Sequence, residues 1–377
     1  MPRTLNVGMI GYKFMGRAHS NAWLKADKFF ELKARPVLKV ICGRDKAGVS
    51  AAAYRWGWEK FETDWREVVD DPTIDVIDIT TPNDSHAEIA IAAAKSKKAV
   101  LCEKPLALDL KQARAMVDAV KKAGVVHMIC HNYRRIPALV LAKKMIDAGD
   151  IGTIYHYRAR YANDRMVDPN APLAWRLQSK IAGSGAHGDI NSHIIDLGRY
   201  LVGEFSEVCG QMETFIKERP LPDQPTKKGK VTVDDAVTFI GRFKNGAFAN
   251  LEATRFALGR KNCLQIEING SRGSLVFDLE DMNRLKYYND ADPADRRGFR
   301  DILVTQGEVH PYMSSWWKAG QVIGYEHTFV HVIADFVNAV ADKRPVPPTF
   351  EDGLANQIVL EAVEKSAHTR RWITIGK

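Results

Sequence analysis

Residues 5–23, LNVGMIGYKFMGRAHSNAW, contain the clearest indication of the fold. An apolar strand pattern leads into a turn that begins at Gly11 and ends at Gly16, and a helical pattern follows at once. This order is typical of a dinucleotide-binding fingerprint, in which Gly11 permits the tight turn and Gly16 lets helix and strand pack closely. Lys13 stands where the middle glycine is expected, so either the loop is displaced or the lysine ammonium helps the helix N-terminus to bind an anion.

Short apolar runs alternate with helical patterns over roughly the first third of the chain. They predict five strands, at residues 5–10, 37–41, 76–79, 99–101 and 125–129. Strands that alternate with helices form crossover units and a parallel sheet covered by helices on both faces. We therefore predict an α/β Rossmann domain over residues 1–131.

The remaining residues, 132–377, are predicted to form an α+β domain with a large open, mostly antiparallel sheet. Strands are predicted at residues 155–161, 237–243, 248–254, 264–269 and 274–277, and turn sequences such as Asn245-Gly246 separate several of them. Helices are predicted at residues 139–148, 329–340 and 353–365. The segment 218–230, rich in proline and lysine, is interpreted as a loop or excursion rather than a domain linker.

Composition narrows the class of protein. The 54 Lys and Arg residues against 46 Asp and Glu residues give a net charge of +8, but the basic residues are spread along the chain. The densest run, KKGK at 227–230, lies in the segment interpreted as a loop, so nucleic acid is not an expected partner. Five widely spaced cysteines predict buried free thiols and a reducing compartment. With no leader pattern and no apolar run of membrane-spanning length, the sequence predicts a cytoplasmic location and no membrane partner.

The end of the second predicted strand bears on cofactor choice. An acid at this position binds the ribose hydroxyls of NAD, whereas a basic residue accommodates the extra phosphate of NADP. The chain reads Cys42-Gly43-Arg44-Asp45 here. Arg44 tilts the prediction towards NADP, and Asp45 keeps NAD open.

Three further motifs resemble those of a known family. They are TPN at 81–83 with His86 close behind, EKP at 103–105, and GDINSHIID at 188–196. With the glycine turn, and in this order, they resemble the Gfo/Idh/MocA family, the glucose–fructose oxidoreductase and inositol dehydrogenase group. The runs FMGRAHS at 14–20, NYRR at 132–135 and AGSGA at 182–186 look most like a branch of sugar dehydrogenases that oxidise a ring secondary hydroxyl, commonly at C3.

The fingerprint and the resemblance together assign a candidate site. The resemblance implies that Lys104, Asp189 and His193 are catalytic. The candidate cofactor residues are Gly11, Lys13, Phe14, Met15, Arg44, Thr81, Pro82, Asn83, His86, Glu103, Lys104, Trp175 and Arg176. The candidate substrate residues are Lys104, Tyr133, Asn163, Arg165, Arg176, Asp189 and His193. Asn163 and Arg165 stand where that branch has glutamine and tryptophan. The resemblance also implies NAD or NADP, a sugar or polyol substrate, no metal, and a homodimer or homotetramer.

The residue types suit this chemistry. Oxidation of a secondary alcohol removes the hydroxyl proton while hydride leaves carbon for the nicotinamide, so a base is required. Asp189 and His193 are four positions apart and would share one face of a helix, with Asp196 on the same face. The imidazole or a lysine would accept the proton, and Lys104 would stabilise the developing alkoxide at the carboxyl end of a parallel strand.

Other interpretations of the same residues stay open. Asp189 alone would serve as a helix cap, and His193 as an interior histidine. His187, Asp189 and His193 have the residue types of a zinc site, although no cysteine pair or His-Glu-x-x-His helix accompanies them. Trp316 and Trp317 would stack on a sugar face or lie in a core or subunit interface. An NAD-dependent glycosidase using transient C3 oxidation and a non-catalytic sugar or cofactor sensor are the alternative functions.

Overall fold

The computed structural model describes residues 3–376. Their strands are β1 (Arg3–Ile10), β2 (Ala34–Cys42), β3 (Lys60–Glu62), β4 (Val76–Ile79), β5 (Ala99–Glu103), β6 (His127–Cys130), β7 (Ile154–Ala162), β8 (Phe205–Glu213), β9 (Glu218–Leu221), β10 (Gln224–Lys230), β11 (Ala236–Phe243), β12 (Phe248–Thr254), β13 (Cys263–Gly270), β14 (Gly273–Asp278), β15 (Arg284–Asn289), β16 (Arg300–Leu303) and β17 (Ile373–Thr374). Their α-helices are α1 (Phe14–Phe29), α2 (Lys46–Trp56), α3 (Trp65–Asp70), α4 (His86–Lys95), α5 (Leu110–Ala123), α6 (Pro137–Asp147), α7 (Ser179–Ala182), α8 (Ser192–Leu201), α9 (Tyr325–Asp342) and α10 (Phe350–Thr369).

The chain forms two compact units. The first contains the chain up to Arg135 together with Ile323–Gln357, and the second contains Ile136–Val322 and the chain from Ile358 onward. The sequence-based division places everything after residue 131 in one domain. The structure differs because α9 packs against α1 and buries Phe329, Val330 and other apolar side chains within the first unit.

A six-stranded sheet in the order β3-β2-β1-β4-β5-β6 forms the centre of the first unit. All of its neighbouring strands are parallel, as predicted, and β4 and β5 are buried along their whole length. The strand order reverses between β1 and β4, and ligands of doubly wound sheets bind beyond the carboxyl ends of the strands at this point. The Rossmann prediction for the N-terminal part is confirmed.

The second unit is built on a nine-stranded sheet in the order β16-β15-β14-β13-β7-β12-β11-β8-β17. Its neighbouring strands are antiparallel except β7 and β12, which run parallel, so the predicted mostly antiparallel sheet is confirmed. Side chains of β11 and β12 alternate between buried and exposed, which leaves one face of these strands open. Helix α8 packs against the buried side of β7, where the Tyr157 hydroxyl donates to the Ile194 carbonyl oxygen at 2.7 Å.

The interpretation of residues 218–230 as a loop is wrong. This segment forms a two-stranded antiparallel sheet from β9 and β10. The exposed lysines and prolines of this segment do not show a strand pattern. The apolar contact of the hairpin is made by Leu221, which packs against a cluster from other parts of the unit that includes Leu173, Leu177 and Val231. The pairing therefore depends on tertiary contacts that a local pattern does not contain.

Residues 3–376 contain no helix that is both long enough and apolar enough to cross a membrane.

Candidate active site

The glycine turn after β1 has the geometry that the fingerprint requires. Gly11 adopts a φ of +111°, and a Cβ there would lie 2.5 Å from the Thr80 hydroxyl oxygen. A Cβ on Gly16 would lie 2.4 Å from the Gly11 carbonyl oxygen, so only glycine allows α1 to start this close to the strand. Lys13 is the exposed N-cap residue of α1, and Phe14 beside it is 58% exposed. The turn thus leaves a helix N-terminus accessible and close to the backbone of β1, which fits a pyrophosphate group.

Asp45 is fixed at the end of the second strand. Its carboxylate caps α2 by accepting from the backbone N–H groups of Ala47 and Gly48, and it also accepts from the Tyr12 hydroxyl at 3.2 Å. Arg44 is exposed beside it. Of the two residues that bear on cofactor choice, Asp45 therefore has a carboxylate fixed by hydrogen bonds, and Arg44 has an exposed side chain.

His86 connects the two loops that follow β4 and β5. Its side chain is fully buried, with Nε2 3.0 Å from the Thr81 carbonyl oxygen and Nδ1 3.0 Å from the Pro105 carbonyl oxygen. Burial lowers the pKa of the His86 imidazole. The histidine of the TPN motif therefore lies beneath the loops that carry Pro82, Asn83 and Lys104, and it fixes their backbones.

Lys104 lies directly after β5, as the motif predicts, and its side chain is partly exposed. Its backbone N–H donates to Oε2 of Glu103 at 3.2 Å. Glu103 itself is only 4% exposed, and its carboxylate points into a group of buried polar side chains.

That buried group was not among the residues predicted from the sequence. His19 of α1 contacts both carboxylate oxygens of Asp78 through Nδ1, at 3.0 and 2.9 Å, and contacts Glu103 Oε1 through Nε2 at 2.9 Å. The Trp23 indole donates to Asp78 at 2.8 Å, and the Cys130 sulfur lies 3.7 Å from His19 Nε2. In the sequence, Asp78 is the residue that indicates this buried group, since a carboxylate between Ile77 and Ile79 of a buried strand requires a polar partner.

His19, Glu103 and Cys130 also form the one cluster of metal-ligating residue types found among residues 3–376, with ligand atoms within 4.8 Å of one another. The separation of 2.9 Å between His19 Nε2 and Glu103 Oε1 is that of a hydrogen bond. In this structure His19 and Glu103 are therefore in direct hydrogen-bonding contact.

In the second unit, Asp189 and His193 lie on one continuous helical segment. Asp189 belongs to a π-helical turn, His187–Asn191, and His193 to the first turn of α8. Asp189 is partly exposed, His193 is 6% exposed, and Asp196 is fully buried. The pair thus lies on a helix, as expected, but the chain widens to i→i+5 bonding at Asp189, and π-helical turns of this kind are frequent at functional sites.

Asp234, which the sequence analysis did not select, holds the start of this segment. Its carboxylate accepts from the backbone N–H groups of Gly185 and His187 at 2.6 and 2.8 Å. A Cβ on Gly185 would lie 1.7 Å from the Asp234 carbonyl oxygen, which explains the glycine in the AGSGA run. The His187 ring contacts the Leu360 carbonyl oxygen through Nε2 and accepts from the Asn191 amide through Nδ1. Both ring nitrogens of His187 are therefore engaged in structural contacts, which leaves neither for a zinc ion.

Other candidate residues of the second unit lie on or near β7. The Tyr161 ring lies 5.9 Å from the His193 ring, and its hydroxyl donates to Asn262 at 2.8 Å. Asn163 is buried and accepts from the backbone N–H of Arg165, whose side chain is exposed. Tyr161 is thus a neighbour of His193 that sequence reasoning missed.

The remaining candidates with aromatic side chains or aromatic contacts lie in different surroundings. The guanidinium of Arg176 stacks 4.3 Å above the Trp175 ring in the second unit. Tyr133, in the first unit, is 4% exposed and lies edge-on to Tyr325. Trp317 is 55% exposed in the second unit.

Comparisons with known proteins identify the family of this chain. Residues 5–131 match the model "Oxidoreductase family, NAD-binding Rossmann fold", and residues 139–276 match the "GFO/IDH/MocA C-terminal domain". The chain is 46% identical to levoglucosan dehydrogenase of Pseudarthrobacter phenanthrenivorans over 99% of its own length and 98% of that protein. Among solved structures, an oxidoreductase domain protein from Kribbella flavida is 50% identical, with a TM-score of 0.96 and full coverage of both chains. Levoglucosan dehydrogenase in complex with NADH and levoglucosan is 46% identical, with a TM-score of 0.96 and coverage of 99% of this chain and 100% of that one.

The fold and the glycine turn define an oxidoreductase with an NAD-binding Rossmann domain. The chain belongs to the Gfo/Idh/MocA family. The resemblance of its motifs to this family, and to the levoglucosan dehydrogenase branch within it, is confirmed.

Proposed function

We propose that this protein oxidises a ring secondary hydroxyl, at C3, of a sugar, glycoside, anhydrosugar or inositol. The observation that carries the proposal is the presence of Lys104 directly after β5 and of the Asp189–His193 pair on its helical segment, in a chain similar over its whole length to levoglucosan dehydrogenase. Asn163 and Arg165 are candidate substrate residues at which the sequence departs from that branch. The proposal therefore leaves the substrate class broader than levoglucosan.

Each candidate residue has a separate role in the proposed reaction. The bound nicotinamide cofactor would accept the hydride, and Gly11, Gly16 and the N-terminus of α1 would hold its pyrophosphate. Lys104 would bind the reacting oxygen and stabilise its developing negative charge. His193 would take the hydroxyl proton, since imidazole is the side chain best suited to proton exchange near neutral pH. Asp189 would accept hydrogen bonds from the sugar and orient it, and Trp175 and Arg176 would border the cofactor.

The test is an assay of reduced-cofactor absorbance with the protein, NAD+ or NADP+, and a panel of glucosides, anhydrosugars and inositols. We expect turnover of at least one member. Lys104→Ala and His193→Asn should each reduce kcat by about 10²- to 10⁴-fold, which is the range for loss of one acid–base group. The exposed Lys95→Ala and His368→Asn are the matched controls. Bound cofactor without turnover on any sugar would contradict the proposal, and release of an aglycone without net reduction would indicate the glycosidase chemistry instead.

We propose NAD rather than NADP as the preferred cofactor. The support is the NADH bound to a 47% identical levoglucosan dehydrogenase, and the fixed carboxylate of Asp45, which would repel a phosphate next to it. We expect kcat/KM for NAD+ to exceed that for NADP+ by about tenfold or more, an energy of about 1.4 kcal/mol. Asp45→Asn should narrow the ratio and Arg44→Ala should widen it. A wild-type preference for NADP+ that Arg44→Ala abolishes would restore the assignment that the sequence favours.

The assembly is part of the same proposal. The open face of β11 and β12 carries the exposed side chains of Ile240 and Phe248, which are each 47% accessible. We propose that this face of the sheet joins copies of the chain into a homodimer or homotetramer. Light scattering coupled to gel filtration would measure the mass directly, and a monomer at micromolar concentration would contradict it.

A further inference from the structure

Four groups that can carry charge are buried behind the strand that presents Lys104. Asp78 and His19 are 0% and 1% exposed, Glu103 is 4% exposed and Cys130 is 1% exposed. They come from three strands and one helix of the first unit: β4, β5, β6 and α1. Isolated buried charges cost several kcal/mol each, as a rough figure, so groups of this kind persist when they neutralise one another.

The geometry neutralises them through one imidazole. His19 Nδ1 meets Asp78 at 2.9 Å and His19 Nε2 meets Glu103 at 2.9 Å, so both ring nitrogens face carboxylate oxygens. An ionised carboxylate only accepts hydrogen bonds. An imidazole donates hydrogen bonds from both nitrogens only when the ring is protonated. Asp78 and the Cys130 thiol hold the pKa of His19 well above its usual value in spite of burial. The hydrogen bond from His19 and the charges of His19 and Lys104 lower the pKa of Glu103 although burial opposes this.

The chain of contacts ends at Lys104. Glu103 uses one carboxylate oxygen for His19 and the other for the backbone N–H of Lys104 at 3.2 Å. The position of that second oxygen depends on the first, because the carboxylate is rigid and planar. His19 also contacts the Phe329 ring of α9, at 5.4 Å between centroids, and Cys130.

We infer that His19 is a positioning residue for Lys104: its protonated ring joins Asp78 and Glu103 into one buried ionic group that fixes the backbone at the end of β5. The inference rests on the proposed function, in which Lys104 touches the substrate. A displacement of about 1 Å at a reacting group can cost about 10²-fold in rate, so a loosened end of β5 would be measurable in kcat.

The kinetic test uses His19→Gln, Asp78→Asn and the double variant, with the exposed His368→Gln as matched control. Each single variant should lower kcat by about 10- to 100-fold and leave the KM for the cofactor within about twofold. The double variant should lose little more than the worse single variant, because both act through one chain of contacts. Equal loss of kcat and cofactor affinity, or full additivity of the two changes, would overturn the inference.

A second measurement reports the protonation state of His19 in the wild-type protein and needs no substrate. In protein labelled with ¹⁵N-histidine, the His19 signal, assigned by its absence in His19→Gln or by its contact to Phe329, should remain that of a doubly protonated ring at about pH 8, above the ordinary pKa of histidine. A neutral His19 at that pH, or stoichiometric zinc in the purified protein, would overturn the ionic group. Absence of sugar turnover together with a protonated His19 would contradict the proposed function and leave the ionic group standing.

Discussion

His331 of α9 has a fully buried side chain, and its Nδ1 lies 2.9 Å from the Arg135 carbonyl oxygen. Burial lowers the pKa of this imidazole to about 3. His19 is equally buried and has the opposite shift, because it faces two carboxylates where His331 faces a backbone oxygen and the Phe30 ring. At the residue scale, the charge that a buried histidine carries is set by its partners rather than by burial alone.

A pH dependence follows from His331. In the unfolded chain this imidazole binds a proton below about pH 6.5, whereas in the folded chain it remains neutral down to about pH 3. The free energy of unfolding is therefore fully retained above about pH 6.5 and falls as the pH decreases from about 6.5 to about 3. The contribution lost at about pH 4.5 is about 2 to 3 kcal/mol. In His331→Gln, which can still donate to the Arg135 carbonyl oxygen, the difference in unfolding free energy between about pH 7.5 and pH 4.5 should shrink by that amount. Urea titrations measure it, and an unchanged difference, matching that of His368→Gln, would contradict the assignment.

Gly16 provides a steric prediction at the same scale. In Gly16→Ala, the new Cβ would lie 2.4 Å from the Gly11 carbonyl oxygen, so α1 must move away from β1. We expect a loss of about 1 to 3 kcal/mol in stability, as for other overpacked sites, and a loss of at least about tenfold in NADH affinity. Fluorescence titration of NADH measures the second effect. Gly298→Ala is the control, because nothing lies within 4 Å of a Cβ there, and equal NADH affinities for the two variants would count against a cofactor role of the turn.

At the element scale, the hairpin of β9 and β10 supports the segment that follows β7. The fully buried guanidinium of Arg219 donates to the carbonyl oxygens of Met166 and Asp168, and the Leu173 N–H donates to the Pro220 carbonyl oxygen at 2.8 Å. The segment that these bonds hold begins just after Asn163 and Arg165, two of the candidate substrate residues. The hairpin therefore supports the segment that lies next to these two candidate residues.

Removal of that support should affect the sugar more than the cofactor. In Arg219→Met, the Met166 and Asp168 carbonyl oxygens lose their donors, and we expect faster amide exchange over residues 163–174 and a KM for sugar raised by about tenfold. Lys227→Met, which changes an exposed residue of β10, serves as the control. Hydrogen exchange and steady-state kinetics measure the two effects, and unchanged exchange in Arg219→Met would refute the supporting role.

At the scale of the whole molecule, the first unit is discontinuous in sequence. The chain leaves it after Arg135 and returns at Ile323, and the returning segment contributes α9. Because α9 packs against α1 and the side chains of Phe329, Val330 and Ile333 on α9 are buried, a Rossmann segment cut at residue 131 would leave the surface of α1 that α9 covers exposed.

The fragment 1–131 should therefore fail to fold on its own. We expect it to bind a hydrophobic dye and to show no cooperative thermal transition, whereas the same fragment joined to residues 323–357 by a flexible linker should unfold cooperatively and bind NADH. Calorimetry and NADH fluorescence measure these properties. Cooperative unfolding of fragment 1–131 alone would show that α9 is dispensable.

The parallel sheet, the glycine turn and the position of Lys104 could be predicted from the sequence, because strand periodicity, glycine chemistry and short motifs are local properties. The family resemblance of its motifs also implied Asp189 and His193 as candidate residues. The tertiary structure decided the features that depend on distant partners: the ionic group of His19, Asp78 and Glu103, and the return of α9 to the first unit. It also decided the anchoring of Gly185 by Asp234 and the pairing of β9 with β10. The physical reason is that a buried charge or a polar strand is stable only beside its partner, and a single stretch of sequence does not say which distant residue that partner is.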